Sequence, residues 1–154
     1  MVEDGRPVAG VLDCPARKET YVAAAGGGAA CNGGTIAVRK PAGALSVGGP
    51  KPLIQAMPEA SRAHFAAVPY IPSLAYRLAM VARGAIDATF IKASSHDWDL
   101  AAADLILSEA GGAVLDRRGE TPFYARRETS HGTLVAGSGP LLNEMARSIR
   151  NMEK

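Results

Sequence analysis

The sequence predicts an α/β protein: a partial antiparallel meander followed by an α/β layer on a mixed sheet. Three observations carry this expectation. Residues 6–38 alternate short β-prone runs with turn residues. From about residue 72 onward, strand-like and helix-like periodicities alternate, the pattern of helices layered on a sheet. The 154 residues are 47% apolar and 21% charged, enough to bury a real core. The Gly- and Pro-rich stretch "KPAGALSVGGP" divides the chain into a sheet remnant, 1–40, and a C-terminal α/β domain, 41–154.

Residues 8–12, 19–24 and 35–38 read as strands, separated by a Cys-Pro-Ala-Arg turn and two glycine clusters. This sheet starts almost at Met1, as though its earlier neighbours lay elsewhere. A short strand is expected at 45–47, a brief helix at 51–57 and a strand at 64–68. In "PSLAYRLAMVARG", Leu74, Leu78 and Val81 recur at helical spacing, Pro72 suits the first turn and Gly84 the exit. "IDATFI" reads as a strand. "HDWDLAAADLILSEAGG" supplies a helix opening at Leu100 and ending at Gly111 and Gly112. "AVLD" and "TLVAGS" are strands, and an amphipathic helix runs from Pro140 to about Asn151. No internal repeat is visible.

Composition excludes several classes of function. Net charge is only +2, and the seventeen basic residues are scattered among fifteen acidic ones, so no nucleic-acid polymer is expected as a partner. No uninterrupted apolar run reaches the roughly eighteen residues of a membrane span, and the N-terminus lacks the layout of a signal peptide; a cytoplasmic protein is expected. Cys14 and Cys31 form no CxxC and have no nearby His pair, and are read as buried thiols. "AGGGAACNGG" and "GSGP" lack the order of a phosphate loop, and strand turns explain their glycines. "DRRGET" is a turn with Arg117 and Arg118 at a solvated tip.

The chemistry concentrates at residues 96–99. Asp99, immediately before Leu100, can cap the helix by accepting hydrogen bonds from free N–H groups of its first turn. It can equally be a hard-metal ligand, since a carboxylate where strand meets helix projects toward the end of the sheet where α/β proteins bind ligands. Magnesium takes one or two carboxylates together with water and substrate phosphate, and a helix N-terminus favours phosphate as well. Asp97 would point to the opposite side in an extended segment, so the two acids should not share one ion. Trp98 is read as packing and His96 as a polar loop residue.

"DWDLAAADLILSEAGG" is similar to the second signature of the inositol monophosphatase family, which includes the 3'(2'),5'-bisphosphate nucleotidases and is related to fructose-1,6-bisphosphatase. Trp98, Asp99, Ala101, Ala102, Glu109, Ala110, Gly111 and Gly112 match it in order. Asp104 departs, following Ala103 where the family usually has glycine. "GRPVAGVLDCPARKETYVAAAGGGAACNGGTI" and "PSLAYRLAMVARGAIDATF" extend the likeness to nearly the whole chain, residues 3–150. The resemblance implies a layered sandwich of the sugar-phosphatase type, Mg2+ as cofactor, and Asp99 as one of its ligands. It places Ser73 beside the substrate, although a helix cap explains that serine equally well.

Lys92 stands where inositol monophosphatases tend to carry a glutamate that accepts a hydroxyl hydrogen bond. A lysine cannot accept one but attracts a second phosphate, which favours a 3'(2'),5'-bisphosphate nucleotidase over an inositol monophosphatase. A solvated lysine at a strand end is the plain alternative. The family's Glu-Glu and Asp-Pro-Ile-Asp-Gly-Thr metal motifs do not occur, so the chain resembles the C-terminal part of such an enzyme. The expected function is thus Mg-dependent phosphomonoester hydrolysis of a small phosphorylated metabolite, with activity of the isolated chain in doubt. A catalytically inactive phosphate-binding or oligomerisation module is the rival. A homodimer is possible, because an uncovered sheet encourages association.

Overall fold

The structure, a computed structural model, describes residues 1–152. A small hairpin, β1 (Val2–Glu3) and β2 (Arg6–Pro7), leads into β3 (Ala9–Cys14), β4 (Glu19–Ala24), β5 (Gly28–Cys31) and β6 (Gly34–Thr35). These last four form an antiparallel sheet in sequence order. Alternation of side chains sets its inner face: Tyr21 and Ala23 of β4 are buried, while Thr20, Val22 and Ala24 between them face out.

The chain continues through β7 (Leu45–Gly48), α1 (Lys51–Gln55), α2 (Glu59–Arg62), β8 (Phe65–Ala66), α3 (Leu74–Ala82), β9 (Ala88–Ile91), β10 (Ser95–His96) and α4 (Asp97–Glu109). It closes with β11 (Ala113–Leu115), β12 (Ser130–His131), β13 (Leu134–Gly137) and α5 (Gly139–Met152). A second sheet has the order β11-β13-β9-β7-β8, and β10 pairs separately with β12. In the five-stranded sheet β8, β7 and β9 run parallel, β13 runs antiparallel to β9, and β11 antiparallel to β13. The sheet is therefore mixed, as the alternating pattern implies. Parallel neighbours need a crossover, which α1 and α2 supply between β7 and β8 and α3 between β8 and β9.

Helices α3 and α4 fill the space between the two sheets. Tyr21, Ala23 and Ala29 from the meander meet Leu78 and Val81 of α3, Leu100 and Ile106 of α4, and Ile91 and Val114 of the second sheet in one cluster. Residues on both sides of position 40 thus share a core. On the other face, Val47, Phe90 and Val135 pack against Leu142, Met145 and Ile149 of α5. β9 is buried on both faces, sending Phe90 to one cluster and Ile91 to the other. Each such side chain stabilises the fold by about 1.5–3 kcal/mol. Among the described residues, no helix is long and apolar enough to cross a membrane.

Several local expectations change. The strand expected at 35–38 is only β6, because the chain turns away and Val38 N–H donates instead to Ala110 O at 2.9 Å. β5 occupies part of what reads as a glycine cluster. Cys14 and Cys31 are free and half-buried, not fully buried. Helix α4 opens at Asp97, not Leu100, with His96 as the N-cap residue. Trp98 does not pack in the core: it is 74% exposed, its ring stacked on His96 at 4.4 Å.

Candidate functional site

Strand order selects the place. From β7 the chain crosses through α1 and α2 to β8 on one side, then through α3 to β9 on the other. The carboxyl end of β7 is therefore a topological switch point, where diverging connections leave a crevice in a parallel sheet. A cleft of about 720 Å³ opens there. Its walls come from the end of β7 and the start of α1 (Gly48, Gly49, Lys51), the segment after β8 (Ala67 to Pro72), and the end of β9 (Lys92).

Lys92 lies in this cleft and is exposed. Its turn is held by Ser95, whose hydroxyl donates to Lys92 O at 3.0 Å and which also lines the cleft. Ser73 is the N-cap residue of α3, its Oγ accepting from Tyr76 N–H at 3.2 Å. Its neighbours Pro72 and Leu74 line the cleft, and Ser73 itself does not. The structure gives Ser73 a capping task and places it beside the cleft wall.

Asp99 is exposed on the first turn of α4, where its Oδ2 accepts from His96 N–H at 3.2 Å. It too lies outside the cleft lining. Asp97 has a different environment. Its Oδ2 accepts from Ala125 N–H at 2.8 Å, and its Oδ1 lies 2.6 Å from His131 Nε2. Its oxygens are committed one to the loop before β12, through Ala125, and one to β12 itself, through His131. The two acids therefore separate by partner, not by the strand alternation expected of an extended segment. Among the described residues no cluster of three His, Cys, Asp or Glu could hold a metal. Asp99 fits a single carboxylate ligand of a hydrated Mg2+, and the described residues do not build a closed metal centre.

Sequence reasoning missed Arg77 and Lys51. Arg77 is buried at the cleft wall, donating from Nη1 to Ile71 O at 2.7 Å and from Nε to Thr89 Oγ1 at 3.2 Å. Burial pulls its pKa below the ordinary guanidinium value. A charged residue among the apolar positions of α3 was the available signal. Lys51 had none beyond following "GGP".

A buried acid lies in the middle of α4, away from the cleft lining. Asp104 Oδ2 accepts from Tyr124 OH at 2.8 Å and from Arg6 Nη1 at 3.3 Å, while its buried Oδ1 has no partner. Burial raises its pKa, against the opposing pull of Tyr124 and Arg6. Arg6 and Tyr124 thus tie the first hairpin and the loop before β12 to the middle of α4.

The sequence profile of the inositol monophosphatase family matches residues 1–153. The chain is 30% identical to "Inositol monophosphatase" of Dictyostelium discoideum, covering 92% of this chain and 54% of that protein. It is 33% identical to "Nus factor SuhB" of Pasteurella multocida, covering 95% and 56%. Among solved structures, an inositol monophosphatase of Thermotoga maritima superposes with a TM-score of 0.79 at 27% identity, covering 99% of this chain and 59% of that one. The inositol monophosphatase of Anabaena gives 0.75 at 28% identity, covering 97% and 64%. The chain spans about half the length of the curated relatives it matches. With the motif around Asp99, the layered fold and the family profile in agreement, this chain belongs to the inositol monophosphatase family.

Proposed function

We propose that this chain is the α/β part of a Mg-dependent phosphomonoester hydrolase of small phosphorylated metabolites, with 3'(2'),5'-bisphosphorylated nucleotides as its substrate class. The observation that carries the reading is Lys92 in the cleft at the switch point, with Lys51 also lining it. Two ammonium groups suit an ester bearing two phosphates, whereas a polyol monophosphate needs hydroxyl acceptors that lysines do not supply. Inositol monophosphate is the alternative substrate, supported by the name of the Dictyostelium relative.

In hydrolysis a water oxygen bonds to phosphorus, the ester P–O bond breaks, and orthophosphate leaves with the alcohol. The chain's share is binding and charge. Lys92 and Lys51 would offset phosphate charge inside a cleft where part of the water is displaced. Asp99 would hold a magnesium ion, which when bound lowers the charge on the phosphate and the pKa of coordinated water.

A second reading has its own support. Asp99 standing in no group of three possible metal ligands, among the described residues, favours a phosphate-binding module without turnover. One experiment separates the two. Phosphate release is measured with magnesium on adenosine 3',5'-bisphosphate and on inositol 1-phosphate, for this chain and for the same chain extended upstream by a relative's residues. Turnover of the bisphosphate in the extended protein supports the hydrolase. Phosphate binding with no turnover in either protein supports the module.

A further inference from the structure

Tyr70 lies in the segment between β8 and α3 and lines the cleft, yet it is 86% exposed. Its ring packs against no other aromatic ring or cation among the described residues. A lone exposed aromatic needs no explanation on an ordinary surface. This one sits on the wall of a cleft whose other linings include Lys51, Arg77 and Lys92.

The wall is fastened at its α3 end. Residues 67–71 separate the cleft from a second cavity of about 360 Å³, lined on its far side by Arg17, Tyr76 and Arg83. The buried Arg77 guanidinium ties Ile71 O to the wall's end at 2.7 Å. A ring on a tethered wall, with two side-chain torsions of its own, loses little freedom when a ligand lies against it. A planar heteroaromatic gains dispersion and stacking there, while a polyol ring offers no π-face. At about 720 Å³ the cleft is in the range that encloses ligands larger than a sugar phosphate.

We propose that Tyr70 is the stacking platform that makes this cleft select phosphate esters carrying a planar aromatic base over sugar or polyol phosphates. The lysines hold the phosphate end and Tyr70 reads the base. The proposal rests on the phosphate-ester reading of the same cleft and assigns specificity within it.

The test is equilibrium binding to the chain as it stands, without turnover. Adenosine 5'-monophosphate and ribose 5-phosphate are titrated by calorimetry, and the adenine ring protons are followed by NMR. Stacking contributes at least about a fivefold affinity difference between these ligands, with upfield shifts of the adenine protons. Tyr70→Ala should erase both the difference and the shifts, Tyr70→Phe should keep them, and Lys92→Ala should weaken both ligands alike. Equal affinities in the unaltered chain, or a difference that survives Tyr70→Ala, overturn the platform and leave the phosphate-ester reading standing. If neither ester binds the unaltered chain, both fall.

Discussion

Asp97 Oδ1 and His131 Nε2 lie 2.6 Å apart, and this contact fastens β12, and with it the end of the loop that precedes it, to the first turn of α4. Asp97 reinforces it by accepting Ala125 N–H at 2.8 Å, while its own N–H donates to Thr129 O at 3.0 Å. Both side chains are mostly shielded, at 16% and 12% exposure, so water replaces the contact poorly. His131→Ala should lower stability by about 1–2 kcal/mol, the scale of one hydrogen bond to a partly buried charge. Urea unfolding measures the loss, and hydrogen exchange at Ala125 should quicken. An unchanged midpoint with an unchanged Ala125 amide would show that the loop is held by other contacts.

The neighbouring acid should respond differently. Asp99→Asn keeps an oxygen to accept His96 N–H, so the helix start survives. What it removes is the negative charge available to a cation. Trp98, the single tryptophan, adjoins this carboxylate and is exposed. Its fluorescence should change on titration with Mg2+ in the unaltered chain and stay flat in Asp99→Asn. Asp97→Asn should retain the fluorescence change while lowering stability. An Asp99→Asn protein whose fluorescence still tracks magnesium would remove Asp99 from the ligand assignment.

Asp87 predicts the acid limb of stability. It accepts from Arg39 Nε at 2.8 Å, Arg39 Nη2 at 2.6 Å and Ser46 N–H at 2.7 Å. The Arg39 hydrogen bonds are the main cause holding its carboxyl below the ordinary value of 3.8, against the opposing effect of burial. A carboxylate depressed in the folded state stabilises above its unfolded pKa and loses that contribution as pH falls through the folded one. The loss should therefore begin near pH 4 and continue below it. Asp87→Asn should cost about 1–3 kcal/mol at neutral pH, toward the lower end because Arg39 is 40% exposed. The variant's urea midpoint should also fall less between about pH 5 and pH 3 than that of the unaltered chain. Parallel pH profiles for the two proteins would rule this ion pair out as the source.

Legibility tracked periodicity. α3, α5 and β9 stand close to where apolar spacing puts them, because each buries a face large enough to imprint a repeat. β5 escaped because alanine and glycine carry little β signal, and its pairing with β4 rests on backbone bonds. The start of α4 moved by three residues because an acid is favourable both at the N-cap and within the first turn, and only His96 N–H shows which. Lys92 was visible as a charge where an acceptor is usual, and its place in the cleft follows from strand order. Tyr70, Lys51 and Arg77 converge from separate segments, and no local pattern announces such a meeting.

The paired glycines that end the motif should respond unequally to alanine. Gly111 has φ +95°, in the left-handed region that exits a helix, and a Cβ there would meet nothing closer than Val38 at 3.6 Å. Its penalty is conformational, about 1 kcal/mol. A Cβ on Gly112 would stand 2.5 Å from Leu107 Cδ1 and 2.8 Å from Gly137 O. Leu107 can rotate only within a core where it is fully buried, and the Gly137 carbonyl belongs to β13, paired in register with β11. Relief must come from moving α4 or β13, at a cost of about 1–3 kcal/mol or more. Thermal unfolding should rank the unaltered chain above Gly111→Ala, and Gly111→Ala above Gly112→Ala. Since α4 carries Asp99 at its other end, Gly112→Ala should also diminish the Trp98 response to magnesium, which Gly111→Ala should leave intact. The reverse stability order would mean that backbone conformation, not the closeness of α4 to β13, dictates glycine here.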